Sequence, residues 1–284
     1  MVLSGARRVY VDDVLETPDQ TLWILGEVVG ETAQQGPLLL FRGDVARPPQ
    51  TLTRVVSRAW WEARLGSTRS GRVAVAWVER GRATAGKISL RLSWVDEQGH
   101  ANSAKEIDAI TLPPAYADLS VPTRANVVLQ ADGDLLAVAW RPLDSPKGPP
   151  ADTRDAEHPP KAPFAGTMRI VIASPDAPPR LASQFPTTVQ PLGGVTGHGP
   201  WGLNRGGAWS FTLDGRAVFI WLDSVEAIKT SLVAARPSDS QPMLLTGDAF
   251  DTLWVPLPQA DGYSAKLYGY AWGSGLRALE VRCR

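Results

Sequence analysis

Three stretches decide the fold: Gly71-Arg-Val-Ala-Val-Ala-Trp77, Gly133-Asp-Leu-Leu-Ala-Val-Ala-Trp140 and Gly215-Arg-Ala-Val-Phe-Ile-Trp221. Each runs from a turn glycine through a short apolar run to a tryptophan. Short apolar runs rich in β-branched residues and bounded by turn signals read as buried strands. A unit rewritten at intervals of tens of residues marks a repeat architecture, and this unit is all-β.

Working outward, each stretch is followed by a second strand-like run. In the first unit, Lys87-Ile-Ser-Leu-Arg-Leu-Ser-Trp94 alternates with period two, as a half-buried strand does. Residues 167–174 and 228–235 hold that place in the other two units. A further strand precedes each stretch, over 60–65, 125–130 and 207–213. Three strands per unit, with a fourth from the link to the next unit, make the inventory of a propeller blade.

Two weaker units flank these. Thr21-Leu-Trp-Ile-Leu25 leads to Pro37-Leu-Leu-Leu-Phe41, and Thr252-Leu-Trp-Val-Pro256 leads to residues 265–272. Here Gly26 and Leu257 stand where the tryptophan is expected, and terminal repeats are commonly atypical. The five positions are separated by 51, 63, 81 and 36 residues. The expectation is one all-β domain over 1–284, a single β-propeller of about five blades. The longest interval leaves room for a sixth blade between 178 and 206, and a pair of β-sandwiches is the rival fold. Residues 144–163, rich in proline and charge, read as a loop excursion with nothing to bury.

Composition bounds the function. Of 284 residues, 44% are hydrophobic and 20% charged, as in a folded globular chain. Lysine plus arginine equals aspartate plus glutamate at 29 each, so no basic excess points to nucleic acid. No apolar run reaches the length of a membrane span, so no membrane insertion is expected. The single cysteine, Cys283, excludes an internal disulfide. The N-terminus has no signal-peptide core, which reads as cytoplasmic if Met1 is the native start. The alternative is a secreted or periplasmic mature domain. Eleven tryptophans with 26 glycines and 24 prolines describe short strands, many turns and aromatic packing.

The run Ile88-Ser-Leu-Arg-Leu-Ser-Trp-Val-Asp-Glu-Gln-Gly99 resembles the Asp-box turn of sialidase-like, BNR-repeat propellers. Arg169-Ile-Val-Ile-Ala-Ser-Pro-Asp176 and Val233-Ala-Ala-Arg-Pro-Ser-Asp239 are fainter versions. The resemblance implies a propeller in which the aspartate and serine brace a hairpin. A sialidase would also bring an arginine triad, a tyrosine–glutamate nucleophile and an acidic donor. Those find no residue-by-residue match: there is no early Arg-Ile-Pro phrase, and Arg7 and Arg8 precede the first unit.

The remaining chemistry is sparse. His100, His158 and His198 stand far apart, so no zinc site and no other metal or cofactor is expected. Asp12-Asp13 and Asp132/Asp134 look like polar turns, where aspartates mostly serve the backbone. No nucleophile elbow is present, so no catalytic residue is assigned. Asp12, Glu62, Asp118 and Asp223 are the carboxylates nearest strand ends, the kind of set glycosidic acid/base work would draw on.

Two stretches suit ligand binding. Residues 193–207 pack seven glycines around His198, Trp201, Asn204 and Arg205. Glycines allow close backbone approach, and the four side chains offer stacking and hydrogen bonding. The Trp60-Trp61 pair places one indole on each side of a strand. The expected function is a non-catalytic binding or scaffolding module with a protein partner. A lectin-like or glycoside-hydrolase propeller is the alternative.

Overall fold

The computed structural model describes residues 9–28, 38–43, 50–56, 60–80, 86–111, 126–146, 164–189, 208–226, 229–247, 253–271 and 275–282. Every regular element among them is a strand, and the twenty strands sort into five antiparallel sheets in chain order. Blade 1 is β1(Val9–Glu16), β2(Leu22–Val28), β3(Leu38–Gly43) and β4(Gln50–Val56). Blade 2 is β5(Trp60–Ser67), β6(Val73–Arg80), β7(Lys87–Trp94) and β8(Lys105–Thr111).

Blade 3 is built from β9(Asn126–Asp132), β10(Leu135–Arg141), β12(Phe164–Ala173) and β13(Arg180–Val189), with the short β11(Leu143–Pro146) also pairing β12. Blade 4 is β14(Ala208–Leu213), β15(Arg216–Glu226), β16(Lys229–Ala235) and β17(Met243–Thr246). Blade 5 is β18(Leu253–Pro258), β19(Ser264–Ala271) and β20(Gly275–Arg282). The first strands contact one another in the order β1, β5, β9, β14, β18, so they line the centre of a five-bladed β-propeller.

Three expectations change in detail. The interval between Trp140 and Trp221 holds no sixth blade among the described residues, since Arg180–Val189 is the outer strand of blade 3. Of the excursion expected at 144–163, residues 144–146 belong to a strand and 147–163 lie outside the described residues. Past Pro142 the chain continues as β11, with Leu143 opposite Gly166 and Pro146 opposite Phe164. Leu257 does not match Trp77, because it lies on the inner strand of blade 5; on the second strand, β19, the buried residues among those described are Ser264, Ala265, Leu267 and Gly269.

The repeated phrase is the second strand of its blade, flanked on both sides and therefore buried: Trp77, Trp140 and Trp221 are at most 2% exposed. Each indole fills the joint with the preceding blade. Trp77 packs with Trp23, Leu25, Leu38 and Leu40 of blade 1. Trp140 packs with Ala76, Val78, Leu90 and Leu92 of blade 2, and Trp221 with Met168, Ile170 and Phe185 of blade 3. Fully burying an aliphatic or aromatic side chain of this size contributes about 1.5–3 kcal/mol, so these joints carry much of the stability.

A fourth cluster joins blade 4 to blade 5 through Phe211, Ile220 and Leu232 against Ala265, Leu267 and Val281. The fifth joint differs. On the side of blade 5 away from that cluster, Val255, Leu257 and Leu276 are 44%, 50% and 70% exposed, and Lys266 and Glu280 are exposed beside them. On blade 1, Val14 is 53% exposed next to the small buried pair Ile24 and Phe41.

Antiparallel pairing gives the propeller two distinct ends. At one end lie the turns joining first to second strands, and there successive blades are stitched by backbone hydrogen bonds. Arg69 N donates to Gly133 O at 3.2 Å, Gly133 N to Gly215 O at 3.0 Å, and Asp214 N to Gly262 O at 2.7 Å. These turn glycines take φ values of 65°, 67° and 71°, a conformation glycine adopts without a Cβ penalty. At the other end the inner strands begin. The strand ends on either side of 29–37, 81–85, 112–125, 147–163 and 190–207 all lie at this second end.

Candidate functional site

Acidic residues near the starts of the inner strands β1 and β5, and an arginine at the end of β10, each bond to the next blade. In β1 the register slips between Val11 and Asp13, so Asp12 and Asp13 sit in a bulge of a strand rather than in a turn. The bulge re-aims Asp13 sideways. Its Oδ2 accepts from Leu65 N of blade 2 at 2.8 Å, and its Oδ1 accepts from Val14 N at 3.0 Å. Burial pushes the Asp13 carboxyl above the usual carboxylate range, against the pull of the Leu65 N–H and the Arg64 guanidinium.

β5 repeats the device one blade on. Its bulge falls between Trp61 and Ala63, and Glu62 takes φ = 33°, a left-handed backbone that costs a non-glycine residue about 1–3 kcal/mol. The Glu62 carboxylate reaches blade 3, where Oε1 accepts from Val127 N at 3.2 Å, and it pairs with Arg64 at 3.4 Å. Blade 3 in turn reaches blade 4. Arg141, 1% exposed, donates from Nη1 to Leu222 O at 2.7 Å. Burial pushes its pKa down to about 10, with Asp223 and Glu62 pulling the other way. At neutral pH it remains a buried cation between two acids, a group whose partners cannot be removed singly without a large penalty.

A second pattern lies further out on the blades. Trp140 Nε1 donates to Asp108 Oδ2 at 2.7 Å, and Asp108 also takes Arg169 through two bonds of 2.6 and 2.9 Å. Trp77 Nε1 donates to Glu79 at 3.4 Å, and Glu79 takes Arg91 at 2.8 Å. In both cases the arginine faces the tryptophan across the ladder, Arg91 opposite Trp77 and Arg169 opposite Trp140. Val233 faces Trp221 instead; there Phe185 stacks on the indole at 5.8 Å, and the buried Trp221 Nε1 has no acceptor among the described residues.

Trp60 and Trp61 open β5, opposite Glu79 and Val78, immediately before the Glu62 bulge; their side chains lie outside the described residues. His198, Trp201, Asn204 and Arg205 lie wholly outside the described residues, between the end of β13 and the start of β14. Both of those strand ends belong to the face that carries Glu62 and Asp13. Asp118 is likewise outside the described residues. Asp132 is buried and braces blade 4, accepting from Ala217 N at 3.1 Å and pairing with Arg216 at 3.0 Å. No group of three metal-ligating side chains forms among the described residues.

Sequence reasoning missed Arg141 and the Asp108–Arg169 pair, and placed Asp13 in a polar turn. A faint signal was present: Arg91 and Arg169 each sit in the run that echoes an Asp-box, and Arg141 falls between a repeated tryptophan and Pro142. The hairpin after the first of those runs is closed by its aspartate, with Asp96 Oδ1 accepting from His100 N at 2.7 Å.

No family model matches the sequence, and no curated protein matches it. Solved structures do match. A protein of unknown function from Dyadobacter fermentans superposes with a TM-score of 0.53 at 8% identity, over 97% of this chain and 83% of that one. A puromycin hydrolase matches with a TM-score of 0.51 at 12% identity, over 99% of this chain but only 37% of the hydrolase. A levansucrase crystallised with sucrose matches at 0.48 and 10% identity, over 99% of this chain and 85% of that one. At these identities the likeness concerns the fold: five blades arranged as a β-propeller.

Proposed function

We propose that this propeller is a non-catalytic binding module that holds a protein partner over the face where its inner strands begin. The observation that carries the reading is how Asp13 and Glu62 are used. Acid/base chemistry on a sugar needs two carboxyls facing each other across a space for substrate. Asp13 and Glu62 instead point along the ring and hold backbone N–H groups of the neighbouring blade at 2.8 and 3.2 Å. The zero net charge agrees with a partner that is not a polyanion.

Segments set on a rigid scaffold are the usual carriers of recognition, and the strand ends that bound 112–125, 147–163 and 190–207 lie at that face. His198, Trp201, Asn204 and Arg205 belong to one of them. The test is affinity capture with the full chain from its own cell extract, with Trp201→Ala and Arg205→Ala as controls. A partner held stoichiometrically by the parent and lost in both variants is the expected result. Capture that ignores both substitutions overturns the assignment.

A second reading rests on a different feature. Trp60 and Trp61 immediately precede Glu62, so aromatic faces and carboxylates share the start of one strand, as sugar recognition requires. Glycan-array binding abolished by Trp61→Ala favours a lectin-like module. Turnover of aryl-glycosides abolished by Asp12→Asn or Asp223→Asn favours a glycoside hydrolase.

A further inference from the structure

The opposite mouth of the central channel holds a cavity of about 650 Å³. Its origin is local. The turns of blades 2 to 5 are tied to one another by backbone hydrogen bonds, but the turn of blade 1 closes on itself. There Asp19 accepts from Thr17 Oγ1 at 2.6 Å and from Thr21 Oγ1 at 3.0 Å. Among the described residues no hydrogen bond joins this turn to that of blade 2, so the two stand apart and space opens between them.

The cavity is lined by Leu15, Leu65 and Leu129, contributed by three inner strands. Glu16 and Arg69 also line it; both are exposed, and neither side chain has an ion pair or hydrogen bond among the described residues. This contrasts with the other mouth, where Asp13 and Glu62 hold the neighbouring blade. Gln130 adds an amide whose nitrogen is committed to Thr212 Oγ1 at 2.6 Å, leaving its oxygen as an acceptor. No lining residue is aromatic, so no ring is offered for stacking on a sugar.

We propose that this cavity binds a small zwitterion with an aliphatic side chain, of di- to tripeptide size. Glu16 takes the ammonium, the planar fork of Arg69 takes the carboxylate, and the leucines take the side chain. The volume falls within the roughly 300–1,000 Å³ of small-molecule sites. This site is on the opposite face from the proposed partner surface and does not depend on it.

Native mass spectrometry of the full chain with an equimolar pool of di- and tripeptides tests the proposal, followed by calorimetric titration of any retained peptide. The expected result is a Kd between about 1 μM and 1 mM. Arg69→Ala and Glu16→Gln should each weaken it at least about tenfold with the melting temperature unchanged, both residues being exposed. N-acetylation with C-amidation of the same peptide should abolish binding. Retention of no pool member at about 1 mM overturns the proposal. Capped peptide binding as tightly as free, maltose outcompeting peptide, or indifference to both substitutions does the same.

Discussion

At the scale of single residues, the same side chain has different surroundings in different blades. Trp140 hands its indole N–H to Asp108, whereas the Trp221 N–H is buried without an acceptor among the described residues. A hydrogen bond to a charged group is worth about 1.5–3 kcal/mol, and an unsatisfied buried donor costs about 1–3 kcal/mol. Replacement by phenylalanine removes similar apolar volume at both places. Trp140→Phe should therefore be less stable than Trp221→Phe by about 2.5 kcal/mol or more, read from denaturant midpoints. Asp13 gives a pH signature of its own. Its folded pKa lies above the ordinary value of 3.8, so the stability it contributes is fully present below that value and is lost as pH rises through the folded pKa. Asp96, Glu106 and Asp261 are shifted down and act in the opposite sense, but they are common to parent and variant. The stability of the parent relative to Asp13→Asn should thus increase as pH is lowered from neutral toward 3.8, measured by urea unfolding at each pH. A difference independent of pH would show that Asp13 is not desolvated in solution.

At the scale of elements, the glycines separate into two kinds. Gly133 opens the two-residue turn between β9 and β10 at φ = 65°, and a Cβ there would meet nothing within 4 Å. Its substitution by alanine costs only the left-handed backbone, about 1–2 kcal/mol. Gly66 lies inside β5, and a Cβ there would stand 2.5 Å from the Leu129 Cβ of blade 3. Gly66→Ala must push two blades apart and should destabilise by about 3 kcal/mol or more, visible as a lower melting temperature than that of Gly133→Ala. This contrast also marks what the sequence made legible. The turn glycine, apolar run and tryptophan follow from local patterns, and they located the second strands of blades 2, 3 and 4. Blade 5 was misaligned because Leu253–Pro258 shares its Thr-Leu-Trp start with blade 1 yet forms an inner strand, a distinction only pairing reveals. The candidate site was less legible still. Asp13, Glu62 and Arg141 meet partners 52, 65 and 81 residues away, separations that no local pattern encodes.

At the scale of the whole molecule, four blade joints are packed with apolar side chains and the fifth, between blades 5 and 1, is faced by exposed ones. Protection against hydrogen exchange tracks such packing. Amides of β6, β10 and β15 should be the slowest to exchange and those of β18 to β20 the fastest among the strands, as read by peptide-resolved mass spectrometry. Equal protection of β19 and β10 would mean that the seam is closed in solution. The seam also sets how the ring deforms. A ring packed with apolar side chains at four joints, and at the fifth faced by exposed ones among the described residues, is expected to deform as a split washer does, bending at the part across from its weakest joint. That part is blade 3, and it is also the blade most heavily cross-tied, receiving Glu62 from blade 2 and sending Asp132 and Arg141 into blade 4. The ties of blade 3 therefore lie where such bending would concentrate, and they oppose widening of the bore.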